Sequence, residues 1–133
     1  MNLQTASSQE VEDYLRTCTG IILPTGSLEQ HGPVGLIGTD AICVETIASR
    51  IVEHDSALVA PVLNYAPAQF NLGFAGTISL SAQTFSRIFT EITTSLMRSG
   101  FDRINVLNGH GANLAPLRSA VHDLYLQHDE AAP

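Results

Sequence analysis

Three short apolar runs, each separated from the next by a polar, glycine- or proline-bearing loop and a helix-period segment, constrain this chain most. They are residues 20–24 (Gly20-Ile21-Ile22-Leu23-Pro24), residues 57–63, and residues 103–107 with Ile104-Asn105-Val106-Leu107 as core. Runs this short, bounded by turn formers, read as buried strands. Strands that alternate with helices assemble into a parallel sheet through right-handed crossovers. The expected fold is therefore α/β, a parallel-sheet, three-layer βαβ architecture in one domain over residues 1–133. Three strands make a small parallel sheet, and such sheets need cover on both faces. The domain is accordingly expected to be truncated, an incomplete version of a larger unit.

Local signals place the helices. Ser7-Ser8-Gln9-Glu10 has capping-box spacing and predicts a helix over 8–17, with Val11, Tyr14 and Leu15 inward. Asp40 is expected to cap a helix to about residue 54, with Ile42, Val44, Ile47 and Ile51 on its apolar face. Residues 77–80 read as a short strand or strand entry. Ser81 opens the clearest helix, because Phe85, Ile88, Phe89, Ile92 and Leu96 share one face and Gly100 follows where a C′ residue belongs. A last helix over 113–128 turns Leu117, Val121, Leu124 and Tyr125 inward. The tail 129–133 has no element signal.

Charge excludes several functions. The 13 acidic and 6 basic residues give a net charge of −7. Every basic residue is arginine (Arg16, Arg50, Arg87, Arg98, Arg103 and Arg118), so there is no lysine for a Schiff base or a P-loop. Scattered arginines on an acidic chain leave no footprint for nucleic acid or an anionic membrane surface. No apolar run approaches the ~18 residues that span a bilayer, and the N-terminus lacks a signal-peptide pattern. Cys18 and Cys43 form no close motif and read as reduced thiols. The expected location is the cytoplasm. The charged fraction, 14%, is low against the usual ~25%. That favours covered surface, in a homo-oligomer or against a second chain that completes the fold.

The chemistry sits in two loops. Open parallel sheets bind ligands beyond the carboxyl ends of their strands. Gly26-Ser27-Leu28-Glu29-Gln30-His31-Gly32-Pro33, ending at Gly38-Thr39-Asp40, leaves one such end, and Asn108-Gly109-His110-Gly111-Ala112-Asn113 leaves another. Together they supply Glu29, His31, Asp40 and His110, the nitrogen and oxygen donors a borderline divalent ion prefers. Glu29 and His31 are two apart, so an extended backbone points both the same way. A carboxylate such as Asp40 can bridge two ions ~3.5–4 Å apart. The residues alone leave a plainer reading open: a solvated Glu-Gln-His loop, an Asp40 that only caps its helix, and a His110 that only satisfies a turn. Asn108 and Asn113 read as turn and cap residues, or as groups that orient His110. Tyr65, Gln69 and Asn71 are candidates for a pocket mouth. Ser27 lacks the Gly-x-Ser-x-Gly context of a serine nucleophile.

These segments, in this order, resemble the creatininase (creatinine amidohydrolase) family, and Gly73-Phe74-Ala75-Gly76-Thr77-Ile78-Ser79-Leu80 is similar to that family's third recurrent stretch. The resemblance runs along nearly the whole chain. It implies a metal-dependent amidohydrolase with the creatininase type of α/β fold. Its metal-activated water would hydrolyse a C–N bond of a cyclic or other non-peptide amide. Two ions, Zn or Mn, would be held by Glu29, His31, Asp40 and His110, with Asp40 bridging. These four residues would act catalytically through that water. Backbone amides of turn 109–111 would stabilise the oxyanion. The partners implied are a small-molecule amide and other copies of the chain, in a hexamer.

Three departures accompany the resemblance. Residues 34–37 read Val-Gly-Leu-Ile where the family usually has a second histidine and a proline. Ala112 stands where creatininase has a glutamate ligand. Family members are also considerably longer. A second reading therefore stands beside the first: a truncated, non-catalytic relative that binds metal or a small ligand, or serves as an interaction subunit.

Overall fold

β1 (Gly20–Thr25) is the middle of a three-stranded parallel sheet in the order β2-β1-β3, with β2 at Leu58–Val59 and β3 at Arg103–Asn108. The register pairs Ile21 with Leu58 on one side and with Ile104 on the other. The molecule is described by a computed structural model over residues 1–54 and 57–128. The tail 129–133 lies outside the described residues. Helices α1 (Ser8–Leu15), α2 (Thr39–His54), α3 (Ala82–Arg98) and α4 (Leu114–His128) connect and flank the strands. None of the described helices is long and apolar enough to cross a membrane.

Ile21 and Leu23 are two apart on β1 and therefore share a face. They pack with Phe85, Phe89 and Leu96 of α3 and with Leu117, Ala120 and Leu124 of α4. The buried α2 residues Ala41, Val44 and Ala48 lie outside that cluster, so helices cover both faces of the sheet. Tyr14 joins α1 to the strand starts: its hydroxyl donates to the Gly20 carbonyl at 2.7 Å and accepts from the Leu58 N–H at 3.2 Å.

The local stop and start signals act as their chemistry requires. Ser7 and Glu10 form a reciprocal capping box, and the Ser81 hydroxyl accepts from the Thr84 N–H. Gly100 takes φ 105°, while Gly100 N–H reaches Met97 O and Phe101 N–H reaches Leu96 O. Those two bonds close a Schellman motif. Ser81→Ala should cost about 1 kcal/mol through the lost cap. Urea denaturation reads that cost, and an unchanged midpoint would contradict the cap's role.

Four expectations are corrected. The second strand is two residues long rather than covering 57–63, because Pro61 has no N–H to give. The chain still follows β1 through Ala60 N–H to Ile22 O and Leu63 N–H to Pro24 O. Residues 77–80 form no strand, only single bridges of Ile78 to Leu28 and Ser79 to Ala66. α2 starts at Thr39, so Asp40 lies in its first turn rather than capping it, and Ile42 and Ile47 are 47% and 50% exposed. The helix docks instead through Ala41, Val44 and Ala48. In α4, Tyr125 is 70% exposed, and Ala120 takes the inward place instead.

Candidate metal centre

The centre is assembled where β1 and β3 end. Beyond β1 the chain stays extended, pinned by Ile78 N–H to Leu28 O and by Glu29 N–H to Ile37 O, both at 2.9 Å. This holds Glu29 and His31 on one side of the strand end. α2 brings in Asp40 from its first turn, and the turn after β3 brings in His110. All four residues expected from the sequence converge.

Asp40 is at the middle. Its Oδ1 lies 3.1 Å from His31 Nε2, and its Oδ2 lies 2.9 Å from His110 Nδ1. Glu29 Oε1 is 3.3 Å from the same His110 nitrogen. Glu29, His31 and Asp40 each place a donor atom within 4.8 Å of the others. Glu29 and His110 are buried, whereas His31 faces solvent.

The far side of each imidazole fixes its proton. His110 Nε2 is 2.7 Å from the Pro67 carbonyl, and His31 Nδ1 is 3.0 Å from the Glu29 carbonyl. A carbonyl oxygen only accepts, so both nitrogens are the N–H donors. In the neutral rings, His110 Nδ1 and His31 Nε2 are then bare lone pairs aimed at carboxylate oxygens. Acceptors facing acceptors require positive charge between them, either protons or metal ions. No arginine pairs with Glu29 or Asp40 among the described ion pairs. Two imidazole nitrogens and two carboxylates, with each ring oriented from behind by a carbonyl, fit a divalent cation. The hydrogen bond to the Glu29 carbonyl raises the His31 pKa; burial opposes this, and Asp40 adds to it.

Three supporting contacts escaped sequence reasoning, although Asn71 itself was a pocket-mouth candidate. Ser27, fully buried, donates from Oγ to Asp40 Oδ2 at 2.7 Å. Its role is visible only once α2 is docked. Asn71 donates from Nδ2 to Glu29 Oε2 at 2.7 Å, leaving Oε1 toward His110. Of the pocket-mouth candidates, it is the one that reaches a proposed ligand. The Pro67 carbonyl is backbone and has no sequence signal. Asn108 holds the His110 turn: its Nδ2 donates to His110 O, and its Oδ1 accepts from Thr25 Oγ1 at 2.9 Å. Asn113 does not cap α4 with its side chain. Its Nδ2 donates to Gly26 O and Asn108 Oδ1, and its Oδ1 is buried without a partner.

Close backbone approach puts Asp40 in place. A Cβ on Gly26 would lie 2.6 Å from Ala41 Cα, and one on Gly109 would lie 2.8 Å from the Asp40 carbonyl. Only glycine lets both strand ends press against the first turn of α2. A Cβ on Gly35 would lie 2.0 Å from the His31 carbonyl, so the 32–38 loop folds tightly onto His31.

The family model described as Creatininase, creatinine amidohydrolase, matches residues 4–133. A 3-dehydro-scyllo-inosose hydrolase of Thermotoga maritima is 28% identical over 109 residues, 81% of this chain and 35% of the relative. A mycofactocin precursor peptide peptidase of Mycolicibacterium smegmatis is 33% identical over 107 residues, 76% of this chain and 43% of the relative. A creatinine amidohydrolase of Pseudomonas putida is 35% identical over 98 residues, 70% of this chain and 38% of the relative. Among solved structures, a manganese creatininase superposes with TM-score 0.89 at 26% identity, covering 98% of this chain and 53% of that one. A Zn-Zn type creatininase mutant gives 0.88 at 27%, with the same coverage. The chain thus spans less than half the length of these curated relatives and about half that of the solved structures. By family model, sequence and fold together, the chain belongs to the creatininase (creatinine amidohydrolase) family of hydrolases.

Proposed function

We propose that Glu29, His31, Asp40 and His110 hold two divalent ions, zinc or manganese, and that the site hydrolyses the C–N bond of a cyclic or other non-peptide amide. The observation that carries this reading is the pair of histidines whose carbonyl-bound N–H groups leave bare nitrogens aimed at shared carboxylates. Relatives solved in zinc and manganese forms support the choice of ions. When bound, such ions polarise an amide carbonyl and make water acidic enough to supply hydroxide near neutral pH.

The chain's own residues have distinct tasks. Asp40 spans both histidines, and Ser27 fixes one of its oxygens. Asn71 fixes the outer oxygen of Glu29. His31, on the solvent side, marks the face a substrate approaches. The oxyanion role expected of turn 109–111 narrows. Gly109 N–H is engaged by Thr25 O and His110 N–H by Asn108 Oδ1, which leaves the Gly111 N–H.

Metal affinity should be pH-dependent. A proton and a metal compete for His31 Nε2, and the Glu29 carbonyl strengthens the proton's claim by raising the pKa above the ordinary 6.5. Affinity should therefore begin to fall above that pH on acidification. It should approach about a tenfold loss per unit once His31 is protonated. Competition titrations with zinc between about pH 5.5 and 8.5 measure this, and a flat profile would contradict His31 as a ligand.

The competing reading is a non-catalytic metal- or ligand-binding or interaction subunit. It rests on Ala112, which offers no carboxylate two residues past His110. Assaying the purified protein against cyclic amides, formamides and small peptides, with its native mass measured alongside, separates the two. Turnover that requires the metal supports the hydrolase. Metal binding without turnover in any oligomeric form supports the subunit. The hydrolase reading also carries a cytoplasmic location and a homo-oligomer, a hexamer, or a second chain completing the site.

A further inference from the structure

We propose that the cleft beside His31 receives an uncharged, apolar group of the substrate, so that the site selects neutral amides bearing an aromatic or aliphatic substituent. This rests on the metal-hydrolase reading above and adds to it a substrate class and a specificity residue, Phe74.

The cleft has a volume of about 400 Å³. Pro33, Gly35 and Ile37 form one wall and Phe74 and Ala75 the other, with Gln30 and Gly32 between them. Gln30 and Gly32 flank His31 in sequence, so the cleft opens next to the donor cluster. The walls touch: a Cβ on Gly76 would lie 3.2 Å from the Ile37 side chain. At His110, the Phe70 ring stacks on the imidazole, with centroids 6.5 Å apart and planes at 24°. Apolar surface thus borders both histidines.

Charge is missing from these walls. Segments 32–38 and 64–80 contain no Asp, Glu, Lys or Arg, although the chain has 13 acidic and 6 basic residues. The one polar side chain that lines the cleft, Gln30, is already paired. Gln30 Nε2 donates to Asn71 Oδ1 at 3.0 Å, Gln30 Oε1 accepts from Gly32 N–H at 2.8 Å, and Asn71 in turn donates to Glu29. A charged substituent would lose water there and find no counter-charge. An apolar one loses nothing and gains by burial. Phe74 is 55% exposed and Phe70 67%, large apolar rings left uncovered at the mouth of a candidate site, as binding surfaces commonly are.

The test uses three hydroxamates that share one metal-chelating head and differ only in substituent: acetohydroxamate, benzohydroxamate and 4-carboxybenzohydroxamate. Each is titrated calorimetrically into zinc-loaded protein. Benzohydroxamate should bind roughly tenfold tighter than acetohydroxamate, the gain expected from burying most of one ring. The carboxylate should erase that gain. In Phe74→Ala the ratio should fall to about threefold or less, and Phe74→Leu should restore most of it. Equal affinities for all three probes, a preference for the carboxylate, or a ratio indifferent to Phe74→Ala would overturn the proposal. So would a Phe74→Ala effect on native mass alone, because the ring would then be a subunit contact. If acetohydroxamate binds but the ring adds nothing, only the cleft assignment fails. If no zinc loads and no probe binds, the metal reading fails and takes this proposal with it.

Discussion

Asp40→Ala should abolish divalent-metal binding, lowering affinity by at least about a hundredfold, beyond the 10–100-fold typical of losing a mere supporting partner. No other side chain in the centre meets both histidines. Its two oxygens face His31 Nε2 and His110 Nδ1 at 3.1 and 2.9 Å. Without them, the remaining donors are Glu29 and two imidazoles with nothing between them. His31→Ala should also cost most of the affinity, since it removes the solvent-side nitrogen. Ser27→Ala should be milder, about tenfold, because it frees one Asp40 oxygen without removing it. Isothermal titration with zinc and manganese gives all three values, with circular dichroism as the check on folding. An Asp40→Ala protein that stays folded and binds zinc as tightly as the parent would remove Asp40 from the centre.

The second large effect is expected far from any donor atom. Gly26→Ala should destabilise the fold by about 3 kcal/mol, the upper part of the range for overpacking, and weaken metal binding with it. The new Cβ would lie 2.6 Å from Ala41 Cα and 2.7 Å from Ala41 N. Both are backbone atoms, so no rotamer change relieves the clash. The first turn of α2 must retreat, and Asp40 sits in that turn. Gly73→Ala is the matched control, because nothing lies within 4 Å of its Cβ. It should change stability by less than about 0.5 kcal/mol. Urea denaturation of the two variants compares them directly. Equal midpoints would mean that α2 is not held by close backbone contact.

The same contact bears on why the apolar stripe of α2 points to the wrong inward residues. A 3.6-residue apolar stripe selects Ile42 and Ile47 as inward residues, since size and hydrophobicity favour them. Gly26, on another element, presses against the backbone of Ala41, and the face buried with it carries Ala41, Val44 and Ala48 while Ile42 and Ile47 stay exposed. Signals that act within a few residues were legible: Ser7 with Glu10, Ser81 as a cap, Gly100 after α3, and the apolar runs of β1 and β3, whereas the run 57–63 keeps only Leu58–Val59 as strand. The donor residues were legible too, because Glu29, His31, Asp40 and His110 are polar side chains following strand ends in an apolar chain. What holds them was not. The contacts of Ser27 with Asp40, of Asn71 with Glu29 and of the Pro67 carbonyl with His110 join residues 13, 42 and 43 positions apart. Such pairs exist only after the sheet order is set. Tyr125 shows the converse limit: it fits the periodicity of α4, yet it lies exposed beside an inward Ala120.

The most direct measurement is metal stoichiometry. The purified protein, stripped with chelator and reconstituted with zinc or manganese, is assayed for bound metal per chain. One to two ions per chain, lost in Asp40→Ala, is the predicted result. A folded parent protein that retains neither ion after reconstitution would contradict the metal centre and every function built on it.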